Sequence, residues 1–93
     1  MKLRVENHCI ETAAKSAHQQ IQSILLNADP ASSEFREHTE NYELLNDFIL
    51  RTDFARLRSA RPELTGDHAV DVELKRKRRN KNEFDILVVS PSP

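Results

Sequence analysis

The chain has 93 residues, 38% of them hydrophobic and 31% charged, with a net charge of −1 at neutral pH. This balance is too apolar for a disordered protein and too charged for a membrane protein. The longest apolar runs, residues 24–26 and 86–89, are far shorter than the roughly 20 residues that span a bilayer. The N-terminus lacks the apolar stretch of a signal peptide, and the single cysteine, Cys9, excludes an internal disulfide bond. We therefore expect one domain over residues 1–93, cytoplasmic and without membrane contact.

The nearly neutral total hides a separation of charge along the chain. Six of the fourteen basic residues fall within residues 75–81. They are Lys75, Arg76, Lys77, Arg78, Arg79 and Lys81. The rest of the chain then has eight basic residues against fifteen acidic ones, a net charge of −7. This separation is the most informative feature of the sequence for function.

The N-terminal third of the chain predicts a strand and a helix. Leu3 and Val5 alternate with charged residues, which indicates either a short strand over residues 1–6 or a lead-in to the first helix. Apolar side chains then recur at steps of three and four, the pattern of an amphipathic helix. The apolar stripe consists of Ile10, Ala14, Ala17, Ile21, Ile24, Leu25 and Ala28. Asn7 is a suitable N-cap, so the predicted helix covers residues 7–28.

A helix boundary follows at Asp29 and Pro30. Proline disfavours the helical conformation in the residue before it and is well placed in the first turn of a new helix. Asp29 is therefore a candidate cap for the second helix, and Ser32 and Ser33 are rival caps.

Residues 30–60 are predicted to be helical. The apolar side of this segment carries Phe35, Tyr42, Leu45, Phe48 and Ile49, with Leu44 at its edge. Thr52 and Asp53 favour cap positions over helix interiors. Either a short third helix begins after them, or one helix continues to about residue 60.

The C-terminal third predicts an antiparallel β-hairpin over residues 68–90. Apolar and polar residues alternate on both sides of a turn at residues 79–82, whose asparagines tolerate left-handed dihedral angles. Charge selects the register. Pairing Leu74 with Ile86 sets Lys75 opposite Asp85, whereas a shift of two residues sets Glu73 opposite Asp85, which is repulsive. We predict the first register, because each such cross-strand pair contributes roughly 0.2 to 1 kcal/mol.

The second hairpin strand is apolar on both faces, since Leu87 and Val89 lie on the side opposite Ile86 and Val88. Either helices cover this second face or another chain does, and we expect a homodimer formed through this edge. Residues 91–93 are expected to form a mobile tail. The predicted fold is α+β: two or three N-terminal helices packed on a C-terminal hairpin, which residues 1–6 would extend to three strands.

The basic hairpin indicates contact with nucleic acid. Lysine and arginine neutralise phosphates and release counterions, and a two-stranded ribbon fits the major groove of DNA. We expect a small regulatory or accessory protein that binds nucleic acid through residues 75–81. The alternative is a solvated turn whose charges prevent strand edges from aggregating.

The second helix offers a different surface, an acidic stripe. Carboxylates at steps of three and four residues place Glu34, Glu37, Glu40, Glu43 and Asp47 along one side. Such a stripe is either an ordinary solvated face or a docking surface for a basic partner. The alternative function is therefore a protein-interaction module, an adaptor, inhibitor or immunity-type protein, that uses this stripe together with Leu87 and Val89.

Catalytic and metal-binding signatures do not emerge from the sequence. Zinc motifs need closely spaced ligands, but the histidines are widely separated, at His8, His18, His38 and His68. A single glycine excludes a glycine-rich phosphate loop. We therefore expect a protein that is not an enzyme and that holds neither a metal nor a cofactor.

Overall fold

The structure is a computed structural model and describes residues 1–6, 9–64, 69–80 and 82–91. These residues form three strands, three α-helices and one short 3-10 helix. In chain order the elements are β1 (Lys2–Val5), α1 (Ile10–Asn27), α2 (Ser33–Arg51), α3 (Phe54–Ala60), the 3-10 helix (Pro62–Leu64), β2 (Val70–Arg76) and β3 (Phe84–Pro91). The fold is α+β, as predicted, with the helices N-terminal to the hairpin.

The first helix is shorter than predicted, because α1 begins at Ile10 rather than residue 7 and ends at Asn27. Asn7 lies outside the described residues, and the N-cap position belongs to Cys9, whose side chain makes no capping hydrogen bond. Cys9 has φ −70° and ψ 159°, an extended conformation, so the helix begins at the next residue, Ile10.

Side-chain caps fix the other helix starts. Ser32 caps α2 by accepting a hydrogen bond from Phe35 N at 3.1 Å. Asp29 accepts from Ala31 N at 2.9 Å, so it shapes the preceding turn and is not the cap of α2. Asp53 accepts from Arg56 N at 3.1 Å and caps α3. The helical segment is thus interrupted after α2, and the alternative of one continuous helix is wrong.

The three strands form one antiparallel sheet in the order β1-β2-β3. The short N-terminal strand is confirmed, since Leu3 pairs with Val72 of the central strand. The predicted hairpin register is also confirmed, with Leu74 opposite Ile86 and Lys75 opposite Asp85. Opposite charges on neighbouring strands thus helped to choose the register.

β3 continues one residue beyond the predicted hairpin. A bulge lies between the pairs Val72–Val88 and Asp71–Ser90, and it leaves Val89 as the extra residue of β3. After the bulge, Pro91 pairs with Val70. Proline is tolerated there because β3 is an edge strand. Only the last two residues of the expected tail, 92–93, lie outside the described part of the chain.

One face of the sheet packs on the helices and forms the core. Its fully buried side chains include Val5 and Leu74 of the sheet and Ile10, Leu45 and Phe48 of the helices. The ring of Phe48 meets those of Phe54 and Phe84 edge to face, at centroid distances of 5.5 and 5.4 Å, and joins α2 to α3 and β3. No helix among the described residues is both long and apolar enough to cross a lipid bilayer.

The second face of the sheet remains exposed. Leu87 and Val89 retain 64% and 51% of their surface accessible to solvent. The described helices cover only the inner face of β3. They therefore do not account for the apolar residues on its second face.

Candidate nucleic-acid interface

The basic run occupies the end of β2 and the turn that follows it. Lys75 is exposed within the strand, and Arg76 is its last residue. Lys77, Arg78 and Arg79 are exposed beyond it. The remaining predicted contact residue, Lys81, lies outside the described residues.

Asn80 determines the shape of this turn. Its side-chain oxygen accepts a hydrogen bond from Asn82 N at 3.0 Å, and its carbonyl oxygen accepts from Glu83 N at 3.0 Å. The turn closes where Lys77 N donates to Glu83 O at 3.0 Å. These hydrogen bonds join the two sides of the turn next to the exposed side chains of Arg78 and Arg79.

Arg78 and Arg79 are the accessible cations of the turn. Within the described part of the chain, neither forms an ion pair. Lys77 pairs with Glu83 at 3.3 Å, but both side chains are about half exposed. Such surface pairs are weak, typically about 0 to 1 kcal/mol, so a phosphate can replace the carboxylate.

Arg76 differs from its neighbours because it is already engaged. Its Nη2 donates to Asp47 Oδ2 at 2.5 Å, and its guanidinium lies 5.7 Å from the centroid of the Phe84 ring. Both charged side chains of this pair are about two-thirds buried. Arg76 therefore attaches the hairpin to α2, and its charge is largely compensated.

Two further arginines, which are not among the predicted contact residues, lie beside the base of the hairpin. Arg51 ends α2 and Arg56 lies in the first turn of α3, and both line a surface groove with Lys77 and Phe84. We call this the basal groove. No local pattern predicts this groove, because Lys77 lies more than 20 positions along the chain from either arginine.

The residues of the alternative, protein-binding surface do not form one patch with the turn. Most of the acidic stripe is exposed along α2, at Glu34, Glu37, Glu40 and Glu43. Its last member, Asp47, is paired with Arg76. Glu34 lies about 20 Å along the helix axis from Asp47, given a rise of roughly 1.5 Å per residue. The stripe therefore leads away from the hairpin.

The side chains whose pKa is shifted lie away from the basic turn. A hydrogen bond from the N-terminal ammonium at 3.1 Å holds the pKa of Glu73 below its usual value. Glu63 has a lowered pKa because of its own backbone amide and Arg61, and Cys9 because of Thr12. Among the described residues, no group of three or more histidine, cysteine or acidic side chains is placed to hold a metal ion.

The fold and this surface define a class: small α+β proteins in which an antiparallel ribbon carries a basic turn. A protein-family model matches residues 1–89, so the chain belongs to that family. Over 56 residues the chain is 39% identical to an uncharacterised protein of Archaeoglobus fulgidus. The match covers 60% of this chain and 65% of that relative, slightly less than two thirds of its length. No solved structure matches the chain.

Proposed function

We propose that this protein is a non-enzymatic regulatory or accessory factor that binds nucleic acid through its basic hairpin. One observation carries the proposal. Arg78 and Arg79 are exposed, make no ion pair among the described residues, and precede Asn80, which accepts hydrogen bonds from Asn82 N and Glu83 N. Arginine binds phosphate oxygens through two parallel hydrogen bonds, and a preformed turn reduces the entropy lost on binding.

The distribution of charge supports the same surface. The carboxylates of α2 recede from the hairpin, and Asp47 is neutralised by Arg76. A polyanion that approaches the turn therefore meets Lys75, Arg78 and Arg79 before it meets the acidic stripe. We assign the phosphate contacts to this run, with Lys81 included on its sequence position.

Fluorescence anisotropy tests the proposal with labelled duplex DNA, single-stranded DNA and RNA at two salt concentrations. Binding through phosphates weakens steeply with salt. The variant Arg78→Gln/Arg79→Gln should lose affinity. The slope of log affinity against log salt concentration should fall in magnitude by about 1.8, because each of the two lost phosphate contacts accounts for roughly 0.9. Arg36→Gln, an exposed arginine at the other end of α2, is the matched control and should bind as the wild type does. Unchanged affinity in the double variant would refute the hairpin assignment.

A second candidate function, protein interaction, is favoured by the outer strand. Leu87 and Val89 are exposed on β3, an edge strand whose outer side pairs with no described strand. Strand edges of this kind bind other chains, so we propose a homodimer formed through β3. Arg61 Nη1 donates to Ile86 O and so occupies part of this edge. The dimer contact would therefore use the part of the β3 edge that Arg61 does not occupy.

Sedimentation equilibrium of the wild type and of Leu87→Ser/Val89→Thr tests this candidate. A dimer that dissociates in the variant, with little dependence on salt, would support an apolar contact between copies. A wild-type monomer at high protein concentration would exclude it.

A further inference from the structure

The basal groove brings together cations from three separate segments of the chain. Three cations line it, Arg51, Arg56 and Lys77, and both arginines are exposed. Elsewhere on α3, Arg58 pairs with Glu11 at 3.7 Å. By contrast, neither Arg51 nor Arg56 forms an ion pair among the described residues.

The two carboxylates of the groove are already engaged. Asp53 accepts the backbone hydrogen bond of Arg56 at 3.1 Å and so acts as the cap of α3. Glu83 pairs with Lys77 at 3.3 Å. The guanidinium groups of Arg51 and Arg56 thus have no carboxylate of the groove as partner, and they lie beside a turn that presents Arg78 and Arg79.

The groove offers charge without a stacking platform. Phe84 is the aromatic residue that lines it, and this ring packs edge to face on Phe48 at 5.4 Å. The guanidinium of Arg76 lies 5.7 Å from the same ring. Proteins that bind single strands stack the bases on free aromatic faces, whereas duplexes are held largely through their phosphates. The arrangement therefore favours a duplex.

We propose that Arg51 and Arg56 contact the sugar–phosphate backbone of double-stranded DNA while the hairpin turn enters its major groove. This inference rests on the proposed function and extends its binding site to the α2–α3 junction. A ribbon in a major groove has a phosphate backbone on either side. Cations at the base of the hairpin are placed to reach one of these backbones. Two separated contact regions would fix the orientation of the protein on a duplex.

The test uses Arg51→Gln/Arg56→Gln, with Arg36→Gln as the matched control. Arg36 lies on the same helix as Arg51 and is also exposed. It is about 22 Å from Arg51 along the axis, at roughly 1.5 Å per residue. Anisotropy titrations use 20-base-pair DNA and RNA duplexes and the corresponding single strands, each at several salt concentrations. Circular dichroism and urea unfolding verify that each variant is folded.

The double variant should lower the salt slope for duplex binding by about 1.8 and reduce the preference for duplex over single strand. The control should change neither. If Arg78→Gln/Arg79→Gln loses affinity while the basal-groove variant keeps the wild-type slope, this inference fails and the hairpin assignment stands. A wild type that binds no nucleic acid at low salt overturns both. A wild type that binds single strands more tightly than duplexes overturns the choice of duplex.

Discussion

Arg76 Nη2 lies 2.5 Å from Asp47 Oδ2, which joins the last residue of β2 to α2. The two residues come from the two oppositely charged features of the sequence, the basic run and the acidic stripe. Because they pair with each other, the Arg76 guanidinium and the Asp47 carboxylate are less available to bind a partner molecule. Because the guanidinium also lies over the Phe84 ring, the pair anchors the hairpin to the helical layer.

Breaking this salt bridge should loosen the hairpin. A double-mutant cycle with Arg76→Gln and Asp47→Asn should give a coupling free energy on the order of 1 kcal/mol, measured by urea unfolding. The partial burial of both side chains reduces screening by solvent. The exposed pair Lys77–Glu83 serves as the control, and its coupling should be only a few tenths of a kcal/mol. Equal couplings for the two pairs would show that Arg76 does not anchor the hairpin.

The turn should depend on the side-chain oxygen of Asn80. Replacement by alanine removes the hydrogen bond to Asn82 N, and we expect a loss of about 0.5 to 1.5 kcal/mol in the free energy of unfolding. Asn80→Asp keeps an acceptor at the same position and should retain most of that stability. Urea denaturation of the two variants and the wild type compares them directly. If aspartate and alanine destabilise equally, the side chain does not hold the turn.

Local rules recovered much of the fold. Pro30 lies between α1 and α2, although α2 begins at Ser33 and not at the proline, and Thr52 and Asp53 lie between α2 and α3. The chemistry of these boundary residues acts within one turn. The register of Leu74 with Ile86 followed from charges on adjacent strands. In each case the residues that decide the structure are neighbours in sequence or face each other across a two-stranded ladder.

Features that depend on packing between distant elements were missed. The helix start at Ile10 depends on an extended Cys9, and no cap-forming residue in the sequence marks it. The contact between Asp47 and Arg76 joins residues that are 29 positions apart, and it appears only when the helices fold over the sheet. The same is true of Arg51, which reaches the hairpin because α2 ends beside it. The basic run thus stays a predicted binding site, and the structure adds Arg51 and Arg56 beside it.

The ion pair of Glu73 with the N-terminal ammonium predicts an acid-dependent contribution to stability. The pKa of Glu73 is lowered in the fold, so the unfolded carboxyl group binds protons more readily. The contribution is therefore complete above the unfolded pKa of about 4.3 and is lost as the pH falls through the lower, folded value. Acetylation of the Met1 amine should raise the pKa of Glu73 towards its ordinary value, as followed by NMR titration.

Glu63 provides the internal control for that titration. Its pKa is lowered by its own backbone amide and by Arg61, which lies 3.0 Å away, and not by the N-terminus. Acetylation should leave the titration of Glu63 unchanged. A shift of both glutamates would indicate a change in the fold, and a shift of neither would exclude the Met1–Glu73 pair in solution.

Phe48 should contribute more to stability than any exposed residue of α2. Its side chain is only 1% exposed and touches the rings of Phe54 and Phe84. Phe48→Ala should cost about 3 to 5 kcal/mol in unfolding free energy, because the cavity separates α2 from both α3 and β3. Leu50→Ala on the same helix, where the leucine is 75% exposed, should cost less than about 0.5 kcal/mol. Similar losses in the two variants would mean that the hairpin does not pack on the helices through this ring. Packing through Phe48 would then not hold Arg76 and the basal groove in place beside the hairpin.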